Sequence, residues 1–497
     1  MLDGRVGTAG ILAVTGAGDQ AASGQAASGQ AAGGQVGSAD PLAVYGGSAP
    51  TSVRDLRPEM AGIHPVSAGA RFGSAWSQLT LWFTPNVEVS GLFIASIAAG
   101  LGLGFGWGLA VLMVGAIAGT LVFSWMVTMG PRAGVSQLAL ARMPFGRSVV
   151  LPALVQALTA GGWIALVSLF GAQAASLLFG IPFAAGAAIV LAAIAVIAVF
   201  GYQWIHQVEG WFAPVMIVLF GYLTYRILRH HITLPVQTVH GAALAGAILL
   251  MLAIALSGSL SWCPYAADFA RRLPEGTSPR RVFGFAAAGT LAAGIWSALL
   301  GLAAATVIGG NQTAAGISAE VGGGAAGDAA LVTIMLAAIL SCCMNAYSSS
   351  LAFQAAGLAV KRPWLTIAIS GAALGLVVWM QTGSVSGHFE DVLLLADYWV
   401  APFVSVVMID WLRRHQEYTA AGLVQALPLK RLRVGWQALA AFVLGFGAMI
   451  PFMNTSLYQG PVSVALHNGD IAYPVGFAAA ALIYLVLPRS CTTARSE

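Results

Sequence analysis

A chain of 497 residues that is 58% hydrophobic and only 8% charged lacks the polar groups to cover a soluble surface, since ordinary domains are about 25% charged. With a mean hydropathy of +0.82, it reads as a polytopic membrane protein whose lipid-facing helices need apolar side chains all round. The net charge of +4 excludes little as a total, but its distribution along the chain is informative.

Residues 1–70 read as a disordered, low-complexity tail. The run Ala21–Gln25 is followed by near copies ending at Gln30 and Gln35. Such repeats lack the large apolar groups needed to offset the entropy of ordering. The apolar stretch Gly10–Val14 is too short for a signal-peptide core, so the first membrane helix is expected to direct insertion itself.

Twelve segments follow that are long enough to span roughly 30 Å of hydrocarbon. They cover residues 76–101, 105–129, 150–179, 183–201, 211–229, 242–268, 283–308, 329–358, 363–382, 391–412, 434–453 and 471–488. If the N-terminus is inside, twenty of the twenty-two Lys and Arg fall on one face, and only Arg226 and Arg229 lie on the other. The Lys/Arg bias of short loops sets orientation. Both termini are therefore expected in the cytoplasm, in a cell membrane.

Segments 1 and 6 are each interrupted. Segment 1 contains Thr84-Pro85-Asn86-Val87-Glu88, and segment 6 contains Ser257-Gly258-Ser259 followed by Trp262-Cys263-Pro264. Proline removes a helix donor and clashes with the preceding turn. A carboxylate at bilayer depth costs about 2.5–3.5 kcal/mol on insertion scales. Interrupted helices in corresponding positions of two halves point to a transporter site, although Pro kinks also occur as simple bends. An amide such as Asn345 presents an acceptor beside a pair of donors and can bond a complementary ligand edge in bidentate fashion; it can equally act as glue between helices. Glu88 can take up a coupling proton, bind an exocyclic amine of a substrate, or cap the exposed amides of the broken helix. Asp268, close to Arg271 and Arg272, reads as a gating or loop-anchoring ion pair.

Four motifs in order and at matching spacing carry a resemblance. Gly130-Pro131-Arg132-Ala133-Gly134 with Gln137, Arg142 and Phe145-Gly146 resembles the loop between helices 2 and 3 of the nucleobase:cation symporter-1 family, in its purine–cytosine permease branch. Trp262-Cys263-Pro264-Tyr265-Ala266-Ala267-Asp268 through Arg271, continued by Thr277–Phe283, resembles that branch's helix 6 exit. Asn345–Leu351 and Tyr398–Phe403 with Asp410-Trp411 resemble its helices 8 and 10.

The resemblance implies an all-α polytopic fold with a leucine-transporter-like core of five plus five inverted helices and discontinuous helices 1 and 6. It divides the chain into the tail, a ten-helix core over 71–412, a loop over 413–433, two added helices over 434–488 and a short tail over 489–497. It implies symport of a nucleobase or similar small heterocycle, with an amine, amino acid or vitamin-like ligand as the alternative. Trp163, after the small pair Gly161-Gly162, stands where the family stacks an aromatic on the substrate. Val167 replaces a glutamine common one turn later, an arm that Gln156 is a candidate to supply. On helix 6, Trp262 is the obvious aromatic, yet the hydantoin-transporter-like branch places its stacking residue where this chain has Ser259. Ser259, Ser261 and Asn86 are further polar contacts.

Sodium-coupled members use hydroxyls on helix 8 at positions that are Ile339 and Leu340 here. A hard cation wants oxygen ligands, so H+ is favoured over Na+ as the coupling ion, and no other cofactor is expected. HExxH, GxSxG and Cys/His clusters are lacking, which leaves no basis for an enzyme. The basic residues follow the inner membrane face rather than forming a nucleic-acid patch. The expected partners are a small heterocycle and the bilayer, and oligomeric state is not encoded in any recognised pattern.

Overall fold

Backbone groups in hydrocarbon must be satisfied within the chain, which leaves helices for a sequence with no period-two pattern. The computed structural model describes residue 59 and residues 62–229, 233–305, 313–381, 396–416, 418, 420–426 and 428–489. Among these the protein is all-helical apart from two isolated bridges. Most of the tail expected over 1–70, the start of segment 10 and Cys491 lie outside the described residues.

Each of the twelve expected segments falls on a helix. Helix 1 is split into Ser77–Phe83 and Val89–Gly100, joined by a 3-10 turn at Thr84–Asn86. Helices 2 to 5 are Phe105–Val127, Val150–Phe179, Phe183–Phe200 and Tyr202–Arg229. Helix 6 runs Gly241–Leu260 and continues as a 3-10 stretch, Cys263–Phe269. Helices 7, 8 and 9 are Pro279–Ala303, Gly324–Ala355 and Arg362–Met380. Helices 10, 11 and 12 are shorter in their described parts: Val400–Arg413, Trp436–Met449 and Ala472–Val486. Among the described residues, eight helices are long and apolar enough to cross a membrane singly, and bent helix 1 makes a ninth.

Both interruptions are present, with different shapes. Helix 1 bends by 55° about its break. Helix 6 stays α-helical through Gly258 and Ser259 and loses its helical dihedrals only at Tyr265, where φ is −137°. Helix 5 begins at Tyr202, not at 211. Its first turns carry Gln203, His206 and Glu209, and this polarity hides a helix from a hydropathy reading.

Helix 8 packs along helix 3 and forms the centre of the bundle. Helix 7 closes on both halves of helix 1 through glycine. A Cβ at Gly289 would lie 2.3 Å from the Leu79 carbonyl oxygen, and one at Gly301 would lie 2.6 Å from that of Leu92.

The N-terminal approach is not all tail. Val66 donates its amide to Gly134 O at 2.9 Å, and Ile63, Val66 and Ala70 are buried. Glu59 is fully enclosed. Its Oε1 accepts Arg271 Nη2 at 3.0 Å and Arg272 Nη2 at 2.7 Å, and its Oε2 accepts Tyr347 OH and Tyr202 N, both at 3.0 Å. Arg362 donates to its backbone carbonyl at 3.2 and 3.1 Å. One residue thus ties the beginning of helix 5, the exit of helix 6, helix 8 and the start of helix 9. Gly201, at φ +84°, lies against this cluster, and a Cβ there would meet Glu59 Oε2 at 2.7 Å.

Burial alone would raise the Glu59 carboxyl, but the charges of Arg272, Arg271 and Arg362 outweigh it and hold the group well below the usual carboxylate range. Removing one partner of a buried ion cluster costs about 3–5 kcal/mol because charges are left unpaired. We therefore expect Glu59→Ala to lower the thermal stability of the detergent-purified protein by that order. A depressed folded-state value makes the contribution complete above the ordinary carboxylate value and lost only as pH falls towards the folded one. Melting curves from neutral pH down to about pH 5 should show the same gap between wild type and variant, and a gap that closes already in that window contradicts this account.

Candidate functional site

The two interrupted helices, with helices 2, 3, 7 and 8, enclose a cavity of about 120 Å³. Helix 1 contributes Asn86, Glu88 and Ser90, because the 3-10 turn through Pro85 frees the chain to turn these side chains inward. Helix 3 contributes Trp163. Helix 6 contributes Ser259, Ser261, Trp262 and Tyr265, and helix 8 contributes Ser341 and Asn345, one turn apart on one face. Thr120, Thr290 and Ser297 complete the polar lining from helices 2 and 7.

Of the expected site residues, Trp163, Asn345, Trp262, Ser259, Asn86 and Glu88 come together here. Gln156 does not line this cavity. It is buried on helix 3, and neither atom of its amide has a hydrogen-bond partner. The substitute arm for Val167 is therefore absent from this arrangement.

The broken backbone is held by side chains. Asn86 Nδ2 donates to Trp82 O at 2.8 Å, and the Thr84 hydroxyl reaches Thr80 O at 2.9 Å and Glu209 O at 3.1 Å. Glu88 occupies the N-cap position of the second half of helix 1 but makes no capping bond. Its Oε1 accepts the Ser90 hydroxyl instead, and its Oε2 has no partner. The capping role considered for Glu88 is thereby not the one it plays. A cavity-lining carboxylate oxygen with no donor suits an N–H group supplied by a ligand.

Asn345 is partly engaged already. Its Oδ1 accepts the Tyr265 hydroxyl at 2.8 Å and its Nδ2 donates to Ser341 O at 3.3 Å. One amide hydrogen and one lone pair remain for a ligand. Trp262 packs edge-on between Trp82 and Tyr265, with ring centroids 5.5 Å away on each side. Ser259 meets Thr120 across the cavity wall at 3.2 Å.

Two groups here were not singled out from sequence. Tyr265 stands within the helix 6 motif but carries no assignment there. Asp397, fully buried, precedes the helix 10 motif by one residue, and its Oδ1 accepts Trp163 Nε1 at 3.4 Å while Oδ2 is unpartnered. Helix 3 is further tied to this segment by Thr159, which donates to Ala396 O at 3.1 Å and accepts Trp399 Nε1 at 3.1 Å. The arginine-rich exit of helix 6 differs from expectation. Arg271 and Arg272 turn to Glu59, while Asp268 accepts the backbone amide of Gln137 at 2.8 Å, where the short helix between helices 2 and 3 begins.

Comparison with known proteins places this architecture. The model of a family described as permeases for cytosine/purines, uracil, thiamine and allantoin matches residues 65–476. YxlA of Bacillus subtilis is 25% identical over 87% of this chain and 96% of its own length. The purine-cytosine permease fcyB of Emericella nidulans is also 25% identical, over 89% of this chain and 91% of its own. Among solved structures, Mhp1, a nucleobase-cation-symport-1 family transporter in a closed conformation with bromovinylhydantoin bound, superposes with a TM-score of 0.69 at 18% identity, over 86% of this chain and 94% of that one. A Na+-coupled sialic acid symporter superposes at 0.58 with 14% identity, over 90% of this chain and 96% of that one, and so shares the fold. The chain belongs to the cytosine/purine permease family: it is a multi-pass membrane permease, not an enzyme.

The Tyr265–Asn345 bond is testable without any ligand. A buried neutral hydrogen bond contributes about 0.5–1.5 kcal/mol. A double-mutant cycle of Tyr265→Phe and Asn345→Ala on thermal stability should give a coupling of about 1 kcal/mol. Additive effects would mean that the two side chains do not meet.

Proposed function

We propose that this chain is a symporter that imports a nucleobase such as cytosine or a purine, or a related small heterocycle, by alternating access. One observation carries the reading. Two indoles, a partly free amide and an unpartnered carboxylate oxygen line a single cavity between two interrupted helices. A flat heterocycle offers large faces for Trp163 and Trp262. Its edge presents donors and acceptors for Asn345 and Glu88, with Asn86 and Ser259 beside them. Family membership and the fold shared with cation symporters support the same reading.

A proton is the coupling ion in this proposal, because Ile339 and Leu340 pack into the apolar core and offer no side-chain oxygen to Na+. The ten-helix core, the two added helices and the intervening loop divide as the resemblance implies. The protein resides in the cell membrane with both termini in the cytoplasm, supported by twenty of twenty-two cations on one face. The free oxygen of Glu88 also favours a second reading, an amine, amino acid or vitamin-like ligand whose ammonium group it would hold. A competition panel of unlabelled nucleobases, amines and thiamine against one labelled nucleobase separates the two.

Cells expressing the chain should accumulate labelled cytosine or purine. Stacking on an aromatic contributes about 1–3 kcal/mol per base, so Trp163→Ala should weaken uptake by about tenfold or more. Asn345→Ala should abolish it, with membrane insertion unchanged in both. Transport that survives both substitutions overturns the site.

A further inference from the structure

We propose that Glu209 on helix 5, buried behind helix 8 where the break of helix 1 is pinned, holds the coupling proton. The proposal rests on the transport reading above and names the group that reading leaves open.

Glu209 is fully buried. Its Oε1 receives only the Cys343 thiol, a weak donor at 3.9 Å that also points to Leu340 O at 3.1 Å, and its Oε2 has no partner. Helices 1, 4 and 8 pack against helix 5. Helix 4 has no titratable residue between Phe183 and Phe200, and helix 1 has none between Ser77 and Asn86. Helix 8 offers the thiols Cys342 and Cys343, the phenol Tyr347, and Asp328 near its start. On helix 5 itself, His206 is bound to Phe269 O at 3.0 Å, Tyr202 bonds the same carbonyl, and Tyr222, Tyr225, Arg226 and Arg229 lie three turns or more beyond. No cation meets Glu209 among the described residues. A carboxylate in such surroundings neutralises rather than remain charged. In this packed arrangement Glu209 is a carboxylic acid.

Position turns this proton into a coupling device. The Thr84 hydroxyl, inside the helix 1 break, donates to the backbone carbonyl of Glu209 itself. Cys343 lies on helix 8 two residues before Asn345, whose side chain lines the ligand cavity. A ligand that bridges helix 1 and helix 8 in the cavity therefore favours the packing in which Glu209 is enclosed, and that packing favours the proton. By linkage, the proton favours the same closed packing that the ligand favours. When the bundle opens and water reaches the group, the O–H bond breaks, the proton passes to water and the carboxylate remains. Reprotonation from water on the other side resets it. Glu88 is placed differently: it lines the ligand cavity and accepts the Ser90 hydroxyl, which suits it to read the ligand.

The test uses purified full-length protein in liposomes loaded with a pH-sensitive dye, with labelled cytosine and hypoxanthine as probes. Wild type should acidify the lumen as it takes up label and should accumulate label against its gradient. Glu209→Gln should lose both substrate-driven acidification and accumulation while keeping counterflow of label between equal concentrations. Glu88→Gln should instead weaken label binding. Acidification that persists in Glu209→Gln overturns the proposal. If wild type moves neither probe, the transport reading fails by itself, and the proton site is then judged without ligand. Wild-type melting temperature should fall as pH rises above the ordinary carboxylate value of about 4.3, because the folded protein keeps a proton that the unfolded chain has released, and Glu209→Gln should lack that part of the fall; parallel curves overturn the assignment. Should Glu209→Gln not fold, Glu209→Asp serves: an unchanged pH profile of uptake or of melting in that variant also overturns it.

Discussion

A helix interrupted inside hydrocarbon leaves main-chain groups that neither water nor lipid can satisfy, and the whole site is arranged around that constraint. Helix 1 meets it with Asn86, which donates to Trp82 O, and with Thr84, which donates to Thr80 O and Glu209 O. At the far end of helix 6 the Phe269 carbonyl receives Gln78 Nε2, Tyr202 OH and a ring nitrogen of His206, at 3.1, 3.0 and 3.0 Å. Gln137 bonds twice across the same exit, its amide donating to Asp268 Oδ1 at 2.8 Å and its Oε1 accepting Ala267 N at 3.2 Å. Side chains of helices 1 and 5 and of the loop before helix 3 thus substitute for the missing helical ladder. The breaks are consequently tied to particular neighbours, and motion of those neighbours reaches the cavity.

The polar groups of the bundle divide into two kinds. Glu59 is saturated: both carboxylate oxygens, the amide and the carbonyl all have partners, and three arginines surround it. A cluster of that kind is strong only when complete, and it fixes one end of helices 5, 6, 8 and 9. Glu88, Asp397 and Glu209 are unsaturated, each with one oxygen lacking a partner. Unpaired carboxylates in a core are costly, so three in one bundle, of which Glu88 lines the cavity and Asp397 bonds the cavity-lining Trp163, are not explained by stability. Around a ligand and a proton they become intelligible, since those species complete what the protein leaves open.

Hydropathy made the spans legible because lipid-facing helices must be apolar along their whole length. Leu92 or Val190 need no context to be assigned to the membrane. The matched breaks were legible for a similar reason: Pro85 and Pro264 act locally on backbone donors. What escaped was polarity whose cost is offset by tertiary partners. Glu209 fell outside the expected fifth segment because Gln203, His206 and Glu209 resemble a loop until Thr84, Phe269 and Cys343 are brought to them. Glu59 stood in the region read as tail from the repeats that end at Gln35, and a composition window cannot show three arginines from residues 271, 272 and 362 closing on one carboxylate. Gln156 shows the reverse error. It was a candidate for the arm that Val167 lacks, but Gln156 is buried and does not line the cavity that Trp163 lines.

Helix 8 touches the cavity, Glu209 and the Glu59 cluster. Its Ser341 and Asn345 line the ligand cavity, its Cys343 touches Glu209, and its Tyr347 packs its ring against Phe269 at the exit of helix 6 and donates its hydroxyl to Glu59. The cavity and the Glu209 carboxyl therefore lie on different faces of one helix. Coupling between two sites needs a common element whose arrangement both ligands bias. A single helix between the cavity and Glu209, held at one end by the Glu59 cluster and bordered at mid-depth by the broken helix 1, is an element of that kind, and the cavity and the carboxyl need not touch.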